Sequence, residues 1–105
     1  MEGAEAYSQW TGYMKENGLY DNIMLVKVRF NEGGIASMHA HPHTQTSFIV
    51  SGKYEFIVGD KSSIVTAGDG VLIEPDVPHE CRCIEPGMVI DTFSPVREDF
   101  FKENK

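Results

Sequence analysis

The chain has 105 residues, of which 41% are hydrophobic, and this is enough apolar material for one buried core but not for two independent domains. Sixteen acidic residues against nine basic ones give a net charge of −7. Because binding to a phosphate backbone requires clustered lysine and arginine, this charge argues against a nucleic-acid partner. We therefore expect a single domain over residues 1–105.

The first ten residues lack the basic start and apolar core of a secretion signal. No segment approaches the roughly 20 apolar residues that span a bilayer, so we expect a cytoplasmic protein without a membrane partner. Residues 1–22 are assigned as an N-terminal arm outside the core. Within it, residues 7–17 are compatible with a short helix or an extended arm, either of which would let Trp10 and Tyr13 cover a sheet or a second subunit.

Between residues 23 and 93, short apolar and β-branched runs alternate with turns rich in glycine and asparagine. The runs predict eight strands, at residues 23–30, 35–41, 46–50, 54–58, 63–66, 71–74, 79–84 and 88–93. They leave no room for a long helix. The pattern therefore predicts an all-β barrel or sandwich, and a double-sheet jelly roll fits the strand count. Residues 97–105 form a charged C-terminal tail.

Three histidines and a glutamine follow one another at fixed spacing between two glycines, in the pattern Gly33-x5-His39-x-His41-x3-Gln45-x6-Gly52. On an extended strand, His39 and His41 project to the same face about 7 Å apart, so both can bind one ion. His43 shares their phase, but Pro42 bends the strand there. His43 is therefore interpreted as a substrate-contacting residue, with simple surface exposure as the alternative.

A fourth imidazole, His79, follows a glycine turn, a short apolar strand and a proline-containing loop. His39, His41, Gln45 and His79 together offer three nitrogens and one amide oxygen, which predicts a site for one divalent transition metal ion. These ligands suit Zn, Ni, Fe and Mn alike. Because none of them is charged, the ion would keep its full positive charge and favour an anionic guest.

The last predicted strand places Asp91 and Phe93 on one face. A carboxylate in phase with apolar neighbours is expected inside the protein, where it would be typical of an acid/base group. Arg97 follows a proline-stiffened turn and could fold over the barrel mouth, where its planar fork would bind a carboxylate. The alternative is that Asp91 and Arg97 simply pair and fix the C-terminal segment.

Two cysteines, Cys81 and Cys83, are separated by one residue and share the parity of His79. A disulfide between them would require strained geometry, so free thiols are expected. We interpret them as small buried hydrophobic residues that line the same interior as His79.

The two histidine-containing motifs resemble those of the cupin superfamily, in which many members carry glutamate in place of Gln45. The stretches 39–45 and 91–100 resemble the small single-domain cupins of the KdgF type more narrowly. The resemblance to the cupin superfamily covers residues 23–93 and implies a jelly-roll cupin barrel. Members of that family act on unsaturated uronates from pectin and alginate breakdown, and the residues matching Asp91, Phe93 and Arg97 are catalytic or substrate-binding.

The expected function is therefore metal-dependent conversion of a 4,5-unsaturated monouronate into its linear 5-keto-4-deoxy form. Asp91 and Arg97 are the expected catalytic residues; Phe93, Arg97 and His43 are the expected contacts to a small anionic substrate derived from a sugar. Two alternatives remain open: a non-catalytic cupin that senses a small acid or sugar, and a small Fe(II) dioxygenase. A homodimer is expected because the edge strands of a small jelly roll need cover.

Overall fold

The structure of the protein is a computed structural model that describes the backbone of residues 2–11 and all atoms of residues 23–94. The described residues form eight strands: β1 (Glu2–Thr11), β2 (Met24–His39), β3 (Thr44–Ile49), β4 (Lys53–Val58), β5 (Lys61–Thr66), β6 (Gly70–Ile73), β7 (His79–Glu85) and β8 (Gly87–Ser94). This part of the chain has no helix long and apolar enough to cross a lipid bilayer.

The strands pair throughout in antiparallel fashion, in the order β5-β4-β7-β2-β8-β3-β6, and β1 also pairs with β2. Strand β2 belongs to both halves of this arrangement. Its first half, Met24 to Phe30, pairs with β8, and its second half, Ile35 to His39, pairs with β7. The chain thus rolls the sheet into a nearly closed barrel, which confirms the expected all-β jelly roll.

Two differences from the expected strands lie at the N-terminal end. The predicted strands at 23–30 and 35–41 form one strand up to His39, because Gly33 adopts a φ of 78° and bends the chain without ending it. The helix alternative is wrong for residues 7–11, since β1 is a strand whose backbone lies along β2. Residues 12–17, the rest of that prediction, lie outside the described part.

The core lies between the two halves of the barrel. Alternate residues of β2 point inward, and Met24, Val26, Val28 and Phe30 are all buried. The rings of Phe30 and Tyr54 meet edge to face with centroids 5.3 Å apart, which joins β2 to β4. Burying each large apolar side chain of this kind contributes roughly 1.5–3 kcal/mol.

At one end of the barrel the chain passes so close to itself that two glycines are required. Gly52, the last glycine of the first motif, has a φ of 93°, and a Cβ there would lie 2.6 Å from the carbonyl oxygen of Glu85. A Cβ on Gly87 would overlap the carbonyl oxygen of Ser51. Since both obstacles are backbone atoms, neither can move aside cheaply.

Candidate functional site

Three imidazoles meet at the opposite end of the strands from these glycines. His39 ends β2, His41 lies in the loop before β3, and His79 begins β7 as the direct partner of His39 across the ladder. Their ring centroids are 4.3 to 5.5 Å apart, and one donor atom from each lies within 4.8 Å of the others. Donor atoms grouped this closely are suited to bind one ion together.

Hydrogen bonds to backbone carbonyls set the tautomers of two of these rings. Nδ1 of His39 donates to the carbonyl of Ser37 at 2.6 Å, and Nδ1 of His79 donates to the carbonyl of Val77 at 2.9 Å. In each ring the proton is thus on Nδ1, which leaves the Nε2 lone pair as a ligand. This is the arrangement that supporting residues give to metal-binding histidines.

The loop before β7 is tied to the first motif through its backbone. Asp76 adopts a φ of 66°, and its N–H donates to the carbonyl of His41 at 2.8 Å. The sharp turn at Asp76 therefore fixes the chain that leads into His79 against the chain that carries His41. A non-glycine residue in this conformation costs energy, so the hydrogen bond compensates a local strain.

A second support holds the end of β2, where the ladder with β7 shifts register between Ala36 and His39. The N–H of Met38, inside this irregular stretch, donates to Oε1 of Glu80 at 3.2 Å. The other oxygen of Glu80 accepts a 2.6 Å bond from Nε of Arg82. Glu80 is only 9% exposed, so Arg82 offsets the cost of burying its charge.

Gln45 extends the histidine group with an amide. It is buried on β3, and its Oε1 accepts a hydrogen bond from Nε2 of His41 at 3.0 Å. Two neighbouring ligands that each lie about 2.1 Å from one ion at a right angle are about 3 Å apart, so this spacing would suit two ligands of one metal once Nε2 of His41 releases its proton. The donor set therefore fits a divalent transition ion. Within residues 23–94, the grouped donors include no carboxylate.

The amide leads on to a carboxylate. Nε2 of Gln45 donates to Oγ of Ser47 at 3.0 Å, and Oγ of Ser47 donates to Oδ1 of Asp91 at 2.6 Å. The short second bond is typical of a hydroxyl bound to a carboxylate. Ser47 and Asp91 are opposite each other in the ladder between β3 and β8. A chain of hydrogen bonds thus runs from His41 through Gln45 and Ser47 to Asp91.

A pocket of about 40 Å³ in the barrel interior brings these groups together. Its wall includes His39, Gln45, His79, Asp91 and Phe93. The two β8 residues therefore lie on one face, as their spacing predicts. Phe93 is 1% exposed, and its ring meets the edge of the His41 ring with centroids 5.8 Å apart.

Of the other two predicted substrate contacts, the structure describes one. His43 is half-buried, with its ring centroid 5.1 Å from that of His41, and it is not among the three clustered donors. Arg97 lies outside the described residues, so its contact to substrate stays a prediction.

The cysteines are free and buried, as predicted. Burial raises the pKa of the Cys81 thiol well above its usual range, and the neighbouring charge of Asp91 adds to this effect. Burial also raises the pKa of Cys83. Both thiols are therefore protonated at neutral pH, which makes them poor nucleophiles and poor metal ligands. Cys81 lines the pocket as a small apolar group.

Ser47 and Glu80 are not distinguished by the sequence alone. A serine on a strand and a Glu-x-Arg pair are both common on solvated faces. The role of Ser47 becomes visible only in the pairing of β3 with β8, which places Ser47 opposite Asp91. The role of Glu80 depends on the irregular stretch of β2, which a pattern of apolar residues does not reveal.

Comparison with known proteins agrees with this geometry. Residues 26–93 match the family model described as "Cupin domain". Over 82 residues the chain is 35% identical to the pectin degradation protein KdgF of Dickeya dadantii, an alignment that covers 76% of this chain and 74% of that protein.

Among solved structures, an RmlC-like cupin from Shewanella frigidimarina superposes with a TM-score of 0.76 at 31% identity, covering 88% of this chain and 97% of that one. KdgF from Halomonas sp. also gives a TM-score of 0.76, at 25% identity, covering 92% of this chain and 81% of that one. The resemblance to small KdgF-type cupins is thereby confirmed, and the chain belongs to the cupin family.

Proposed function

We propose that this protein converts 4,5-unsaturated monouronates, released by pectin or alginate breakdown, into linear 5-keto-4-deoxyuronate. The observation that carries the proposal is the pocket in which Asp91 and Phe93 lie beside His39, Gln45 and His79. It combines an uncharged donor set, suited to a cation that attracts an acid, with a carboxylate able to move a proton. The similarity to a pectin degradation protein supports the same substrate class.

His39, His41, Gln45 and His79 would hold one divalent transition ion, whether Zn, Ni, Fe or Mn. When bound, such an ion polarises a carboxylate or carbonyl and lowers the pKa of bound water. The tautomers of His39 and His79 suit this role, since each presents Nε2. The neutral donors would leave the positive charge available to the carboxylate of the uronate.

The protein residues would carry the proton chemistry. The reaction is an isomerisation, so no oxidant or reductant is needed. The C1–O5 bond breaks as the proton of the anomeric hydroxyl departs, C1 becomes an aldehyde, and C4 gains a proton while C5 becomes a ketone. Asp91 would deliver the proton to C4. Phe93 would pack on the sugar face, and Arg97 and His43 would contact the substrate, with Arg97 binding its carboxylate.

Assembly and location remain part of the proposal. Several large apolar side chains on the outside of neighbouring strands are exposed, among them Phe48 on β3 at 50% and Leu72 on β6 at 60%. A second copy of the chain would cover such a surface, so we propose a homodimer. We also propose that the protein is cytoplasmic. Light scattering coupled to size-exclusion chromatography should give twice the mass of the chain; a monomer at micromolar concentration would contradict this.

The substrate's double bond is conjugated with its carboxylate, so turnover should abolish its ultraviolet absorption. Metal-loaded protein and freshly prepared unsaturated galacturonate should show this loss, whereas protein dialysed against a chelator should not. The same assay with unsaturated uronates derived from alginate would then identify the preferred sugar. Unchanged absorbance with every uronate would exclude the proposed reaction. Thermal stabilisation by the uronate without turnover would indicate a sensor, and Fe(II)-dependent oxygen consumption would indicate a dioxygenase.

Asp91→Asn is the matched variant for this assay. Its amide can still accept the hydrogen bond of Ser47, so the fold and the metal site should be retained. Loss of the proton donor should lower kcat by roughly a hundredfold or more. Elemental analysis of the purified variant should find the same metal content as in wild type. An Asp91→Asn variant with wild-type kcat would remove this carboxylate from the mechanism.

A further inference from the structure

The hydroxyl of Ser47 is the central link in the hydrogen-bond chain that crosses the pocket wall. Ser47 is 1% exposed, so its neighbours and not solvent must satisfy its hydroxyl. It accepts a hydrogen bond from Nε2 of Gln45 and donates one to Oδ1 of Asp91. A hydroxyl has one proton to donate, and the recipient of that proton fixes the direction of the whole chain.

The two possible directions have opposite consequences for the histidines. With Ser47 donating to Asp91, as observed, the amide nitrogen of Gln45 faces Ser47 and its oxygen faces His41. In the reverse direction a protonated Oδ1 would donate to Ser47, and Ser47 would donate to the amide oxygen. The amide NH₂ would then point at the imidazoles, where its positive end would oppose a cation.

We propose that Ser47 is a positioning residue that turns the oxygen of Gln45 toward the metal-binding histidines and holds Oδ1 of Asp91 as an acceptor. The transferable proton of Asp91 is then carried by Oδ2. The first half of this inference concerns the donor set alone, and the second half rests on the proposed function of Asp91.

Three single variants test it. Ser47→Ala removes both hydrogen bonds, whereas Ser47→Thr keeps the hydroxyl on a strand that tolerates β-branching. Ser62→Ala is the control, because Ser62 donates a bond of the same 2.6 Å length to Oε2 of Glu55 on the exposed surface. Metal-free protein is titrated with Ni²⁺ in a calorimeter, and kcat and KM are measured by the absorbance assay.

Ser47→Ala should weaken Ni²⁺ binding by roughly 10- to 100-fold, the range found when residues that orient ligands are removed. Its kcat should fall by a similar factor with KM less affected, since Asp91 acts in the transition state. Ser47→Thr should recover both quantities to within about threefold, and Ser62→Ala should match wild type. If Ser47→Ala does not fold, Ser47→Cys replaces it, because its slightly larger thiol fills the space of the hydroxyl but forms only weak hydrogen bonds.

A double variant separates orientation from simple loss of packing. In a Gln45→Ala background the amide is absent, so Ser47→Ala should weaken Ni²⁺ binding by less than about threefold. Equal loss in both backgrounds, or wild-type Ni²⁺ affinity and kcat in Ser47→Ala, would overturn the inference. If wild type leaves every uronate unchanged, the proposed function fails, while the calorimetric arm still decides the role of Ser47 toward Gln45.

Discussion

Gln45→Glu is the substitution that most directly tests the hydrogen-bond chain, because glutamate is the residue that many cupins carry at this position. The new carboxylate keeps an oxygen near His41. Its second oxygen, however, faces Ser47 without a proton to donate. Ser47 would then have one proton for two acceptors, the new glutamate and Asp91. One of the two carboxylates must lose a buried hydrogen bond.

Both resulting costs can be estimated from the geometry. A lost hydrogen bond to a charged group costs about 1.5–3 kcal/mol. The two bonds that separate Gln45 from Asp91 are 3.0 and 2.6 Å long. Two carboxylates at most about 5–6 Å apart repel each other by about 3 kcal/mol at an effective dielectric constant near 20. Relaxation of the protein and entry of water relieve part of these two costs, the lost hydrogen bond and the repulsion. We therefore expect metal-free Gln45→Glu to lose about 2–4 kcal/mol of unfolding free energy.

The decisive measurement is a double-mutant cycle with Asp91→Asn. An asparagine amide can donate to Ser47, which lets Ser47 donate to the new glutamate, so every group in the chain is satisfied in the reverse direction. Urea unfolding is followed near neutral pH with a chelator present, so that metal binding does not contribute. The double variant should recover at least about half of the stability that Gln45→Glu loses.

The result that would refute this reasoning is a double variant no more stable than Gln45→Glu alone. Ni²⁺ titration adds a second readout, since the new negative charge should keep Ni²⁺ affinity at or above that of wild type while kcat falls by roughly tenfold or more. Equal losses of metal binding and kcat would instead indicate general damage to the site.

Three further predictions concern the supports of the site and the barrel. Glu80→Ala should lower the unfolding free energy by about 1–3 kcal/mol and weaken Ni²⁺ binding, because the irregular end of β2 loses its acceptor; unchanged Ni²⁺ affinity by calorimetry would show that Glu80 does not hold His39. Gly87→Ala should cost at least about 2 kcal/mol by urea titration, since its Cβ meets a backbone oxygen, whereas Gly70→Ala, with its nearest atom at 3.8 Å, should be tolerated; equal midpoints would refute the close approach. Burial raises the pKa of Cys81 above its ordinary 9.0, so the stability linked to this thiol is complete below pH 9.0 and declines above it as the unfolded thiol ionises. Urea midpoints above pH 9 should therefore fall less steeply with pH in Cys81→Ala than in wild type. Identical slopes in the two proteins would contradict this linkage.

The sequence was sufficient to predict the barrel because its signals are local. Alternating burial in β2 follows from the alternation of apolar residues, and Gly52, Gly59 and Gly68 mark turns between strands. The exception is β1, whose polar sequence lacks a strand period and which joins the sheet by backbone pairing with β2. A pairing that depends on main-chain groups leaves little trace in side-chain pattern.

The candidate site was predictable only in part, for a related reason. The spacing of His39 and His41 predicts that they meet, and they do, although His41 lies in the loop after β2 and not on the same strand face. Asp91 follows the phase of Phe93, as predicted. The link between Gln45 and Asp91 is different, because it depends on which residues of β3 and β8 face each other. That register is a long-range property of the ladder, and it places Ser47 opposite Asp91.

The period of two on β3 explains how one short strand can serve two chemical tasks. Gln45 and Ser47 lie on the same face, and both are buried. The first turns a neutral oxygen toward the histidines, and the second holds Asp91 one hydroxyl away from that amide. A carboxylate at position 45 would place a negative charge beside the histidines and close to Asp91 at the same time. Under the proposed function, the neutral amide would let Asp91 lie close to the metal ion and still remain outside its ligand set, where the carboxylate could move a proton.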